Sequence, residues 1–213
     1  MEIEEIGRKD YHQRRLDASD LDKNPFKQFE KWLALAAKSN FKEPNAMAFA
    51  SATSDGIPSV RMLLLKFFDE RGFVFYSNYE SRKGRELQQN PFGALVFWWD
   101  KLEKQVRIEG AVEKVSPRES DAYFATRPLG SRISAIASRQ SAVIQDRAVL
   151  KKRVAELTQF ATQNEIKRPA SWGGYRLKPN RFEFWQGRHN RLHDRFQYRL
   201  DEIDNWIIER LSP

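Results

Sequence analysis

The stretch A-M-A-F-A-S-A-T-S-D-G-I-P-S-V-R-M-L-L-L-K-F-F-D-E-R-G-F-V-F-Y-S (46–77) decides the fold. Its apolar run Ala46–Thr53 stops at Ser54-Asp55-Gly56, a hairpin turn signal. A second run, Pro58–Phe68, ends at Asp69-Glu70-Arg71-Gly72, and Phe73–Ser77 makes a third. Strand after strand on short turns predicts an antiparallel sheet that curls into a barrel. Downstream, Phe92–Trp99 and Gln105–Val115 continue the strand pattern, as do Trp172–Leu177, Arg181–Trp185, Arg195–Leu200 and Trp206–Arg210.

Helices punctuate this pattern. Asn24-Pro25 joins a good N-cap to a residue suited to the first helical position, and Phe26, Phe29, Trp32/Leu33 and Ala36 follow at helical spacing. Ser81–Gln89 reads as a short helix capped by Ser81, and Pro117–Thr126 as one capped by Ser116. Asp146–Gln163 reads as a longer helix with Val149, Leu150, Val154, Leu157 and Phe160 as its apolar stripe. Residues 1–20 are charged and read as a mobile arm; residues 21–213 read as one domain, mainly β with α (α+β), whose sheet is completed late by the C-terminal strands.

Composition narrows the function. With 213 residues, 40% hydrophobic and 13% aromatic, the chain can bury a real core. No apolar run reaches the roughly 20 residues of a membrane helix. The acidic start Met1-Glu2-Ile3-Glu4-Glu5 is unlike a signal peptide, so the cytoplasm is the expected location. The absence of cysteine removes disulfides, thiolate metal sites and cysteine nucleophiles. A formal net charge of +8 fits nucleic acid, an acidic membrane surface or small anionic ligands. The basic residues are dispersed, with no block of five, which argues against a nucleic-acid arm. Neither common nucleotide-binding glycine loop occurs. His189 and His193 are four apart, but Gly187 and the surrounding charges argue against a helical metal pair there, and no metal is expected.

Four clusters could carry chemistry. Arg82 and Lys83 sit in the first turn after Ser81, where the helix terminus is itself positive, so either an anion binds there or both side chains are simply solvated. Arg61 and Lys66 bracket four apolar residues; in a regular strand their odd spacing puts them on opposite faces, and otherwise they reach water at the strand ends. Tyr123 and Arg127 share a helix face, with Ser131 just beyond Pro128, offering donors for a phosphate or mere surface decoration. If residues 191–195 are extended, Arg191, His193 and Arg195 share one face beside Trp185, as a ligand site or a solvated basic edge.

Taken together, R-M-L-L-L-K (61–66), Y-S-N-Y-E-S-R-K (76–83), E-K-Q-V-R-I-E-G (103–110), Y-F-A-T-R-P (123–128), S-R-Q-S (138–141) and E-F-W-Q-G-x-x-x-R-L-H-D-R-F (183–196) resemble the pyridoxine/pyridoxamine 5′-phosphate oxidase family. The resemblance runs from about Arg8 to Pro213. It implies an FMN-binding split β-barrel working as a homodimer, with FMN in clefts between subunits. It assigns FMN to Arg61, Met62, Leu63, Leu64, Leu65, Lys66, Tyr76, Ser77, Arg82, Lys83, Gln105, Gln140, Ser141, Trp185 and Arg195. It assigns substrate to Lys66, Tyr123, Arg127, Ser131, Arg191 and His193, and gives Arg8 and Tyr11 to an active-site lid. The family's glycines after that tyrosine are replaced here by Arg14-Arg15.

The implied reaction turns pyridoxamine 5′-phosphate or pyridoxine 5′-phosphate into pyridoxal 5′-phosphate. A hydride equivalent leaves C4′ for FMN, water converts the imine from the amine to aldehyde and ammonia, and oxygen is reduced to hydrogen peroxide. Arg191 and His193 are the expected catalytic pair, orienting the C4′ end and the ring oxygen. Another split-barrel flavoprotein, such as a flavin reductase, and a non-catalytic pyridoxal phosphate or nucleic-acid binding protein are the alternatives.

Overall fold

The computed structural model describes residues 10–213. Among the described residues nine strands form one sheet: β1 (Ala46–Ala52), β2 (Pro58–Leu64), β3 (Phe67–Asp69), β4 (Gly72–Asn78), β5 (Phe92–Trp99), β6 (Lys104–Lys114), β7 (Trp172–Gln186), β8 (Asp194–Leu200) and β9 (Trp206–Leu211). Five helices accompany them: α1 (Pro25–Lys38), α2 (Arg82–Gln89), α3 (Pro117–Thr126), α4 (Leu129–Ala137) and α5 (Arg147–Phe160). Among the described residues no helix is long and apolar enough to cross a membrane.

Every strand pairing is antiparallel, in the order β2-β1-β5-β6-β7-β4-β3, and β8 joins β7 and β9 off this path. The sheet divides at β7. Its first half pairs with β4 (Trp172 opposite Asn78), its second half with β8 (Trp185 opposite Arg195). A register shift opposite Glu109/Gly110, where Asn180 is the extra residue on β7, bends the sheet between the halves. A mainly β, curled antiparallel barrel is therefore what the successive strand runs on short turns predict and what the chain forms.

The core lies between α1 and the concave sheet. Asn24 accepts from the amides of Phe26 and Lys27, starting α1 where its sequence predicts. That start aims Phe29 at Phe73 and Phe97 (ring centroids 5.0 Å apart in each pair) and Trp32 at Phe184 (5.2 Å). A second cluster, built on Phe124, Ile133, Ile166 and Trp172, holds α3 and α4 against the start of β7.

Three expectations are corrected. The single strand over 58–68 is two strands, because Leu65 turns into the core and its carbonyl is taken by Asn45 Nδ2 while Lys66 N bonds Val74 O. The chain thus leaves β1 and joins β4 at this corner. The two strands expected over 172–185 are one, β7, because the bend is absorbed by a bulge within β7 at Asn180 without breaking the pairing to β6. The apolar stripe of α5 contributes no buried residue: Val149, Val154 and Phe160 are exposed, and Leu157 alone packs against the second cluster. Helix α4, between Pro128 and Ser138, has no counterpart in the sequence reading.

Candidate functional site

The C-terminal end of β4 and the two helices after it build one wall. Ser81 caps α2, accepting from Gly84 N and donating to Asn78 O, which turns the first helical residues toward the sheet. Lys83 is buried there, its Nζ 2.8 Å from Ser77 Oγ, 3.1 Å from Ser81 Oγ and 3.2 Å from Gln140 Oε1. None of these partners is an anion. Burial, with Arg61 nearby, pulls the lysine down to about 8. Arg82 and Arg61 both reach Glu86, a buried carboxylate held down at about 2 by hydrogen bonds from Ser51, Ser59 and Arg82 and by the charge of Arg61. Arg61 faces this cluster, donating to Ser51 Oγ and Phe49 O.

Beside it opens a cavity of about 640 Å³ lined by Leu63, Leu64, Lys66, Tyr76, Ser77, Tyr123, Arg127, Ser131, Gln140 and Trp172, among others. The corner at Leu65-Lys66 puts Lys66 at this cavity and Arg61 at Glu86. Leu65 itself packs in the core and Met62 is exposed, so neither side chain lines the cavity. Ser141 follows Gln140 at φ 72° and is exposed.

Aromatic stacking fixes the far wall. Tyr123 stacks on Tyr76 (centroids 3.8 Å, planes 13° apart) and Tyr76 on Trp172 (5.4 Å). Burial raises Tyr76 to about 12, so these phenols stay neutral. The Arg127 guanidinium lies 4.6 Å over the Trp172 ring. Its Nη1 is buried and meets no acceptor among the described residues. No side chain caps α4, so the amides of its first turn, at Leu129 and Gly130, have no helical partner. Unpaired guanidinium, free amides and the Ser131 hydroxyl together fit an anion with several acceptor oxygens, such as a phosphate monoester.

The remaining candidates lie elsewhere on the chain. Gln105, Trp185 and Arg195 occupy one rung across β6, β7 and β8, at the other end of β7. Some eleven residues separate Gly174, opposite Tyr76, from Trp185, about 35 Å of strand at roughly 3.3 Å per residue. Arg195 is held by buried Glu183 (2.8 Å) and by Ser212 O (2.8 Å). The extended face expected for Arg191, His193 and Arg195 does not form. Asn190 and Arg191 take left-handed φ values of 54° and 62°, and β8 begins only at Asp194. Within that tight turn Arg188 N donates to His193 Nδ1 (3.1 Å). Arg191 projects outward with no hydrogen-bond partner among the described residues. Burial and the charges of Arg191 and Arg195 lower His193 from its ordinary value, while Asp194 opposes them.

Tyr11 sits on this second group, edge-on to Trp185 and His193 (5.6 Å each). Gly187 makes room for it, since a Cβ there would come 2.7 Å from the tyrosine ring. The segment is strapped down by His12 N and Gln13 N on the Glu103 carboxylate, and by Asp10 on His189 (2.6 Å). Arg8 lies outside the described residues. Sequence reasoning missed Trp172, Glu86 and Glu183. Glu86 had a signal, standing four residues after Arg82, and Glu183 opens the 183–196 motif; Trp172 is a strand residue with no local mark.

Comparison with known proteins shows the family and the fold. Residues 34–161 match the model of a pyridoxamine 5′-phosphate oxidase family, and residues 172–213 match a pyridoxine 5′-phosphate oxidase C-terminal dimerisation region. A pyridoxine/pyridoxamine 5′-phosphate oxidase of Gloeothece citriformis is 56% identical over 206 residues, covering 97% of this chain and 96% of the relative. One from Paraburkholderia phymatum is 55% identical, covering 97% of each. Among solved structures, PhzG from Burkholderia lata in complex with tetrahydrophenazine-1-carboxylic acid superposes with a TM-score of 0.88 at 33% identity, over 94% of this chain and 99% of that one. An FMN-binding, pyridoxamine 5′-phosphate oxidase-related protein of Nostoc punctiforme shares the fold (TM-score 0.70, 15% identity, 91% of this chain and 100% of that one).

Proposed function

The chain belongs to the pyridoxine/pyridoxamine 5′-phosphate oxidase family, and from that premise we propose that it uses FMN and oxygen to convert pyridoxamine 5′-phosphate or pyridoxine 5′-phosphate to pyridoxal 5′-phosphate. One observation carries the reading: two phosphate-fitting donor sets flank a single cavity. Lys83, Arg82 and Arg61, with Ser77 and Gln140, would hold the FMN phosphate. Arg127, Tyr123 and Ser131, with the free end of α4, would hold the substrate phosphate and so point its ring along the cavity. Leu63 and Leu64 would cover the flat apolar surface of a bound ring, and Lys66 would supply a charge at its edge.

When bound, FMN supplies the two-electron acceptor, which oxygen restores with release of hydrogen peroxide. The residues at the far end of β7 are assigned to the site of a second copy of the chain, in a homodimer. Two features support this. The match to a dimerisation region covers Trp185, Arg191, His193 and Arg195, and Val60 and Met62 leave the edge strand β2 with an exposed apolar face. There Arg191, without a hydrogen-bond partner among the described residues, would meet the reacting end of the substrate and favour negative charge developing on it. In the neutral His193 ring, acceptance at Nδ1 leaves the proton on Nε2. His193 would therefore donate a hydrogen bond from Nε2 to a substrate oxygen, and could take up a proton only after releasing Arg188.

The test is the visible spectrum of the purified protein. It should show bound flavin that bleaches when pyridoxamine 5′-phosphate is added without oxygen, and recovers on aeration with pyridoxal 5′-phosphate formed. Flavin that stays oxidised with either substrate would refute the reading.

A further inference from the structure

We propose that Glu86 is a positioning residue for the cofactor, a buried carboxylate that aims Arg61 and Arg82 at the FMN phosphate and sets the charge of that site. This rests on the reading that Arg61, Arg82 and Lys83 meet the phosphate. Glu86 is 3% exposed and stands one helical turn after Arg82. Its Oε1 accepts from Arg82 Nε at 2.8 Å. Its Oε2 accepts from Ser51 Oγ and Ser59 Oγ, both at 2.6 Å, and pairs with Arg61 at 3.4 Å. One carboxylate thereby ties α2 to β1 and β2, holding Arg82 directly and Arg61 largely through Ser51 and Ser59, whose hydroxyls donate to Glu86 and accept from Arg61. Arg82 spends only Nε on it, so its two terminal nitrogens make no hydrogen bond among the described residues and remain for a ligand.

Charge supports the same role. Arg61, Arg82 and Lys83 gather around a single carboxylate, which leaves two positive charges, the complement of a doubly ionised phosphate monoester. Without Glu86 three cations would face one another in a partly buried pocket, where Arg61 already disfavours the charge of Lys83 and Arg82 that of Arg61. Glu86 is buried, both its oxygens already hold protein donors, and its charge would repel a phosphate, so it acts through the arginines. In Glu86→Gln, whichever way the amide turns, its NH2 group faces a guanidinium donor and one arginine is released.

The readout is the pair of dissociation constants for FMN and riboflavin, measured by flavin fluorescence quenching on the full-length apoprotein. Riboflavin lacks the phosphate and reports on the rest of the site. Glu86→Gln should weaken FMN by about tenfold, the scale of one lost charged hydrogen bond, and leave riboflavin nearly unmoved. Equal weakening of both ligands would make Glu86 a support of the fold alone, and an unchanged or improved preference for FMN would equally overturn the proposal. Glu86→Asp keeps the charge but is one methylene short, so it should fall between wild type and Glu86→Gln; a wild-type preference there counts against the proposal even if the glutamine variant does not fold. The Arg82→Ala/Lys83→Ala double variant separates the two readings. If it too leaves the preference for FMN intact, the assignment of the phosphate site has failed; if it abolishes the preference while Glu86→Gln does not, only the role of Glu86 has.

Discussion

Lys83 holds its charge against burial, with a neighbouring arginine and three neutral acceptors. Its level of about 8 is the consequence. A phosphate dianion beside it would restore the charged form and raise that level again. The sign follows. Between the second ionisation of the phosphate, at about pH 6, and pH 8 both the dianion and the ammonium are largely present and FMN binds at full strength. Above that range, binding must first take up a proton, so affinity falls as pH rises, by up to about tenfold per unit. FMN titrations from about pH 7 to about pH 9.5 should show this fall. Riboflavin should not show it, nor should FMN in a Lys83→Met variant. An FMN affinity flat across that range would mean that Lys83 does not meet the phosphate.

At the scale of elements, α2 is the piece that converts a sequence pattern into a site. Its cap, Ser81, is wholly buried, accepts from Gly84 N and Lys83 Nζ, and donates to Asn78 O. Ser81→Ala removes a cap and leaves buried donors short of an acceptor. Loss of the cap alone should cost about 1 kcal/mol of stability. Urea unfolding should show a lower midpoint at unchanged slope. Wild-type stability in that variant would mean that α2 is held by packing and by Glu86 alone. Helix α4 works the other way: with no capping side chain, its exposed amides are available to a ligand.

At the scale of the molecule, β7 sets the distances. It is long enough to carry one half of the candidate residues at each end, and one chain cannot fold them together. If a dimer completes each site, Arg127→Ala and Arg191→Ala damage different halves. Each variant alone should be poorly active at low substrate. Dissociated, mixed and re-formed, the pair should recover about a quarter of wild-type activity, because half of the dimers are hybrids with one intact site. No recovery from verified hybrids would place both residues in the same half.

Strand order along the chain, the caps at Asn24, Ser81 and Ser116, and the family motifs were legible because each is written over a few neighbouring residues. Alternation, turn chemistry and capping act locally. The corner at Leu65-Lys66 was not legible, since Leu65 turns inward only because Asn45 and Val74 stand ready to take the backbone groups there. Nor was the tight turn at Asn190-Arg191, where a hydrogen bond from Arg188 to His193 goes with a reversal that no glycine announces. The sequence by itself determined which donors this protein has and what chemistry they suit. Only the tertiary structure decided which of them share a cavity, because side chains far apart in the chain meet through sheet register and burial, and neither is visible until the strands have paired.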